Sequence, residues 1–201
     1  LDFEVTPDVL IPRAETEIVV EAALEVCRNV PGPLIADIGT GSGCIVISLL
    51  YELRGARALA TDLSLNALQV AQRNANRHHV NDRLTLVQAD GFAPAREGHQ
   101  FSLIVSNPPY IAENEFADLQ PEVRDYEPRA ALVSGADGLS HLRVLLRDAP
   151  SHLLRGGYFI FEIGFGQREM VDRLIDRELW NVMAVRKDLQ GIPRTFVLQK
   201  R

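Results

Sequence analysis

The feature that most constrains this chain is a turn of seven residues, Asp37-Ile38-Gly39-Thr40-Gly41-Ser42-Gly43. The apolar run Leu34–Ile38 feeds into it, and a second apolar segment, Cys44–Leu53, leads away. Glycines at alternate positions admit left-handed backbone and let the main chain come close to a ligand. A buried strand, a glycine turn and a helix in that order form half of a βαβ unit. The rest of the fold must then supply a parallel sheet with helices on its faces.

The remaining sequence keeps that alternation. Glu15–Arg28 reads as a helix, with Ile18, Val19, Ala22, Ala23 and Val26 on one face, and Pro31-Gly32-Pro33 breaks it from the first strand. Arg57–Thr61 is a second strand ending at Asp62, and Ser64 is placed to cap a helix running to about Arg77. Leu84–Gln88, ending near Asp90, and Phe101–Ser106 are the third and fourth strands. Ile111–Asp137 is a long irregular stretch, of a length often tied to function. A helix from about Leu139 to Leu154 follows, and Gly156-Gly157 turns the chain into a fifth strand, Tyr158–Ile163. Gln167–Arg177 reads as a helix, and Trp180–Arg186 with Thr195–Gln199 as a closing antiparallel hairpin. The expectation is an α/β domain, a seven-stranded, mostly parallel sheet spanning residues 31–201, with residues 1–30 as a segment and helix packed on it.

Several function classes are disfavoured. The 201 residues carry a net charge of −6, from 21 basic and 27 acidic side chains, with no block of five like charges. A dedicated DNA binder shows the opposite balance, so no DNA is expected as partner. No apolar run approaches the roughly 18 residues that cross a bilayer, so no membrane is expected either. Two cysteines, Cys27 and Cys44, make neither a disulfide framework nor a four-ligand metal site, and His78, His79, His99, His141 and His152 lack metal-ligand spacing. No metal is expected, and reduced thiols fit a cytoplasmic location. The first residue is Leu rather than Met, so the chain reads as a piece of something longer.

The chemistry lies at the carboxyl ends of the strands. A glycine turn alone suits either a dinucleotide pyrophosphate or another adenosyl cofactor, but Asp37 sets a negative charge beside it and favours a ligand with a cationic amino-acid end. Asp62 follows 19 residues after Gly43, where a carboxylate grips ribose hydroxyls. Asp90 is placed to accept from an adenine amino group, or simply to cap a turn. Three acids after three consecutive strands share the crevice where open α/β sheets bind ligands. Asn107-Pro108-Pro109-Tyr110 ends strand four beside it. The Asn107 side-chain oxygen and the Pro108 carbonyl can each accept one N–H of a planar NH2 group. The prolines stiffen the turn, and Tyr110 can stack on the plane.

In this order the two motifs resemble class I, Rossmann-like S-adenosylmethionine-dependent methyltransferases acting on planar nitrogens. Val9-Leu10-Ile11-Pro12-Arg13-Ala14-Glu15-Thr16-Glu17 is similar to the signature segment of the HemK/PrmC family of protein N5-glutamine methyltransferases. So are Tyr126 to Leu132, the Gly156-Gly157 strand ending Glu162-Ile163-Gly164, and Asp188 to Arg194. The resemblance implies methylation of the glutamine in the Gly-Gly-Gln motif of peptide-chain release factors, with S-adenosyl-L-methionine as donor and S-adenosyl-L-homocysteine as product. It places the cofactor on Asp37, Ile38, Gly39, Thr40, Gly41, Asp62, Asp90, Gly91 and Asn107. It places the substrate on Asn107, Pro108, Pro109 and Tyr110, with Arg13 near substrate or in an ion pair, and catalysis on Asn107, Pro108 and Tyr110. Three departures stand out: Ala14 where the family has Pro, Gly91 where an aromatic often follows the third acid, with Phe92 as its substitute or not, and no N-terminal helical docking domain. The alternatives are transfer to a ribosomal-protein glutamine or to adenine N6 of DNA, a nicotinamide-dependent oxidoreductase, and a cofactor-binding module without activity.

Overall fold

The computed structural model describes residues 1–93 and 100–201, so His99 lies outside the described residues. In chain order the elements are α1 (Glu17–Cys27), β1 (Leu34–Ile38), α2 (Cys44–Glu52), β2 (Arg57–Asp62), α3 (Leu65–Arg77), β3 (Leu84–Gln88) and β4 (Phe101–Ser106). Then come α4 (Pro121–Arg124), α5 (Arg129–Leu132), α6 (Ser140–His152), β5 (Leu153–Glu162), α7 (Arg168–Leu174), β6 (Trp180–Lys187) and β7 (Pro193–Lys200). The seven strands form one sheet in the order β3-β2-β1-β4-β5-β7-β6. β7 runs antiparallel to β5 and β6, and the pairs from β3 to β5 are parallel. The order reverses between β1 and β4, and that switch point opens the crevice at the strands' carboxyl ends.

One core layer lies between the sheet and α1–α2, with Val19, Ile35, Ile47, Leu50 and Val105 fully buried. The other joins the opposite face to α6 and α7 through Ile104, Leu142, Phe159, Phe161 and Trp180. Burying a large apolar side chain contributes about 1.5–3 kcal/mol, so both faces of β1, β4 and β5 hold the site's floor rigid. Ser64 caps α3, its hydroxyl accepting from Ala67 N–H at 3.2 Å.

Four segments differ from their sequence-based expectations. A 3-10 turn at Ala14–Thr16 precedes α1, after an extended Arg13. β5 starts at Leu153, directly after α6, because Gly156 at φ +77° and a register shift opposite Phe101–Leu103 absorb the bend without a turn. α7 covers only Arg168–Leu174, since Ile175 is already extended. The stretch after β4 is ordered: a 3-10 turn at Glu113–Asp118, α4 and α5 pack across a parallel bridge between Ile111 and Val133.

The first residues lie against α3. Asn74, fully buried, accepts from Glu4 N–H at 2.8 Å and donates to the Glu4 carbonyl at 3.0 Å and the Ser42 carbonyl at 2.9 Å. One side chain thus ties the N-terminal segment, the glycine turn and a helix together. Val9 packs with Ala67 and Val70. Among the described residues, no helix is long and apolar enough to cross a membrane, and no group of three or more His, Cys, Asp or Glu side chains is placed to hold a metal ion.

Candidate active site

Two cavities of about 320 and 300 Å³ occupy the crevice and share Gly39, Pro109 and His141 as wall residues. The first is bounded by Val9 and Leu10 of the N-terminal segment, the turn Gly39–Ser42, Asp62 and Asn107. The second is bounded by Ile38, Asp90, Gly91, Pro108 and the α6 face carrying Val144 and Leu145. A third, of about 80 Å³, lies beyond Asn107 between Leu10, Arg13, Pro108, Tyr110 and Leu132. Asn107 belongs to the walls of both the 320 Å³ and the 80 Å³ cavities.

The glycine turn has the geometry its sequence implies. Gly39, Gly41 and Gly43 have φ of +75°, +56° and +82°. A Cβ on Gly39 or Gly41 would meet nothing, so backbone conformation and open cavity space demand glycine there; a Cβ on Gly43 would come within 2.7 Å of Ile47 Cδ1. The turn is fastened to β2: Gly39 and Thr40 N–H both donate to the Thr61 carbonyl at 2.9 Å. Gly41 N–H donates to one Asp62 oxygen and Ser64 N–H to the other, each at 2.9 Å. Asp62 is thereby fixed at the cavity wall with lone pairs to spare on both oxygens.

Asp37 is placed differently from a wall residue. It is fully buried and stands behind the turn, outside the walls of both larger cavities, with Thr40, which does line the first, donating its hydroxyl to it at 2.7 Å. Its other oxygen is buried with no hydrogen-bond partner. Burial, opposed by the Thr40 hydrogen bond, raises its pKa from 3.8 to about 7.

Asp90 is exposed and borders the second cavity beside Gly91, whose carbonyl accepts from the Thr61 hydroxyl at 3.0 Å. Phe92 does not take the place of an aromatic there: it is buried in the core and stacks on His152 with ring centroids 4.7 Å apart. His141 lines both larger cavities instead, its Nδ1 2.8 Å from the Ser134 hydroxyl. Neither composition nor spacing marks His141 for this place; α6 brings it there.

At the β4 end, Asn107 Nδ2 donates to Thr16 Oγ1 at 3.2 Å, and Thr16 donates to Glu162 at 2.7 Å. Asn107 Oδ1 is buried and without a partner. Burial pushes Glu162 up to about 7. Tyr110 is clamped through its backbone: its carbonyl accepts from Gln167 Nε2 at 2.8 Å, and Gln167 Oε1 accepts from Gly164 N–H at 2.9 Å. Burial and the nearby Glu162 raise its phenol to about 12, so it stays neutral. Arg13 lines the smallest cavity while its guanidinium pairs with Glu127 at 2.5 Å. Of the acids in the loop after β4, Glu127 is buried, Glu115 accepts from Ala112 N–H, and Glu113 pairs with Arg129 at the surface.

Residues 18–122 match the family described as Methyltransferase small domain. A release factor glutamine methyltransferase of Geobacter sulfurreducens is 45% identical over 195 residues, spanning 96% of this chain and 66% of that protein. One from Cereibacter sphaeroides is 46% identical over 192 residues, spanning 96% and 67%. The chain thus spans about two thirds of the length of these relatives. A crystal structure of a release-factor-specific protein-(glutamine-N5) methyltransferase from Alicyclobacillus acidocaldarius superposes with a TM-score of 0.60 at 29% identity, covering 99% of both chains. The hMettl16 catalytic domain, bound to an RNA hairpin, superposes at 0.77 with 15% identity over all of this chain and 74% of that one, a likeness of fold alone. The sheet order together with these matches defines a class I S-adenosylmethionine-dependent methyltransferase. Within that class, the chain belongs to the release factor glutamine methyltransferase family.

Proposed function

We propose that this chain methylates the side-chain nitrogen of the glutamine in the Gly-Gly-Gln motif of a peptide-chain release factor, with S-adenosyl-L-methionine as donor. The observation that carries this reading is the place of Asn107, in the wall between a cavity of cofactor size and a small one, with an unpartnered buried acceptor.

The residues fit the cofactor. Asp62, held by two backbone N–H groups, would take the ribose hydroxyls. Asp90, Gly91 and Ile38 would border the adenine. Thr40, Gly39 and Gly41 would pass close to the amino-acid end, which carries the ammonium that the charge of Asp37 favours. When bound, the cofactor supplies an electrophilic methyl group on a sulfonium.

The chain's own part is to place a nitrogen against that methyl. Asn107 Oδ1 and the Pro108 carbonyl would each accept one N–H of the substrate amide, fixing the nitrogen for in-line attack. In the transfer the nitrogen would gain positive charge, and both acceptors would stabilise it until its proton passes to water. Pro109 and Tyr110 would hold the amide plane. Arg13, through Glu127, would shape the entrance. Residues 1–30 would serve as a wall of the site built on the domain formed by 31–201. A protein substrate suits the acidic chain better than DNA, and the reaction belongs to the cytoplasm. Incubation with methyl-labelled S-adenosylmethionine should label a release factor and leave its Gly-Gly-Ala variant unlabelled; equal labelling of both would overturn the assignment.

A further inference from the structure

We propose that Thr16 and Glu162 are positioning residues: Thr16 holds the Asn107 amide in one of its two orientations, and Glu162 sets the direction of the hydrogen bonds between them. The inference rests on the reading of Asn107 Oδ1 as the acceptor for the substrate amide. Rotation of an asparagine side chain by half a turn exchanges an acceptor for a two-proton donor. Facing a substrate NH2, the wrong orientation sets donors against donors.

A hydroxyl carries one proton. Thr16 gives its proton to Glu162 at 2.7 Å, so only a lone pair remains for Asn107, which must turn Nδ2 toward it at 3.2 Å. Oδ1 is then left free. The contacts are little exposed: Thr16, at the wall of the 320 Å³ cavity, is 5% exposed and Glu162 2%. These residues come from the turn before α1, the end of β4 and the end of β5, so tertiary structure alone brings them together.

The direction depends on charge. An ionised Glu162 only accepts. A protonated one donates to Thr16, frees the Thr16 proton for Asn107, and favours the reversed amide. Burial holds this carboxyl up to about 7, opposed first by the Thr16 hydrogen bond and then by Arg194 and the Asn107 side chain, while Glu15 raises it. Cys44 and Tyr110 also face it, both pushed to about 12 and neutral in this range. Asp37, also at about 7, titrates beside it in pH, so Glu162 must be followed by its own signal and at saturating cofactor.

The test combines NMR of the labelled chain with kinetics. The Asn107 side-chain amide signals should move across the neutral range with the same midpoint as the Glu162 carboxyl carbon. Thr16→Val and Glu162→Gln should abolish that movement, and Thr16→Ser should keep it. In turnover, Thr16→Val should lower kcat by about 10- to 100-fold, Thr16→Ser should restore most of it, and Glu162→Gln should remove the acidic limb of kcat. Asn107 signals that ignore Thr16→Val and Glu162→Gln overturn the proposal whatever the activity. If the wild-type chain labels no glutamine while the amide signals respond as expected, the function assignment falls and the positioning role stands.

Discussion

The Arg13 guanidinium closes on the Glu127 carboxylate across 114 positions of sequence, joining the segment before α1 to the loop after β4. The Glu127 side chain is 2% exposed and that of Arg13 31%. Removing one partner of such a pair strands a buried charge. Arg13→Ala should lower the unfolding free energy by about 3 kcal/mol, the lower end for a buried pair because Arg13 still meets solvent. Adding Glu127→Gln should recover most of the loss in urea unfolding. An Arg13→Ala chain as stable as the parent would show that Glu127 reaches water.

Asn107→Ala removes the free acceptor between the cavities. Methyl transfer should fall by about 100-fold or more, the scale of losing one preorganised group at a charge-developing centre. S-adenosylhomocysteine should still bind within about threefold of the parent by calorimetry, since most of its wall is intact.

Asp37 makes cofactor affinity depend on pH. Its pKa is raised from 3.8 to about 7, so the folded chain keeps a proton that the unfolded chain has lost. Its contribution to stability is therefore full below about 4 and vanishes as pH rises through 7. A cationic ligand favours the ionised form, so affinity for S-adenosylhomocysteine should rise with pH up to about 7, by at most tenfold per unit, with proton release on binding. Asp37→Asn should flatten that slope. Calorimetry in buffers of different ionisation heats reads both effects.

Gly39 and Gly43 should separate binding from folding. Both have positive φ. Gly39→Ala adds a methyl facing open space within the cavity wall. It should weaken cofactor binding and cost about 1 kcal/mol of backbone strain. Gly43→Ala also drives a Cβ into Ile47 and should cost about 2 kcal/mol or more of stability. Equal losses of stability in the two variants would contradict this assignment.

Phe92→Leu should lower stability by about 1 kcal/mol and leave cofactor affinity unchanged, because the ring stacks on His152 inside the core. A weakened affinity with unchanged stability would place the ring in the second cavity after all.

The legible parts of this molecule are those where neighbours in sequence determine the structure. Glycines at 39, 41 and 43 after a buried strand dictate a positive-φ turn, Ser64 dictates a cap, and alternation gives all seven strands. The Asn-Pro-Pro-Tyr corner was readable because all its groups are adjacent. Thr16 and Glu162 are 146 positions apart, and no periodicity connects them; they meet because α1, which follows Thr16 directly, packs against β4 and β5. His141 reached the crevice by the phase of α6, and Phe92 left it because one residue beyond Gly91 the chain had already turned toward the core. The loop after β4 looked irregular since its order comes from Arg13, Gln167 and the Ile111–Val133 bridge rather than from its own pattern.

β7 lies between β5 and β6 although it follows both in sequence. During synthesis, then, β6 emerges with no strand to join, and the edge of β5 that carries Glu162 stays open until residues 193–200 leave the ribosome. Assembly of the sheet's last third cannot proceed residue by residue behind translation. The edge of β5 beside Glu162 is covered only once β7 is made, after both strands it joins, so chains halted before residue 193 should hold the glycine turn without that edge paired.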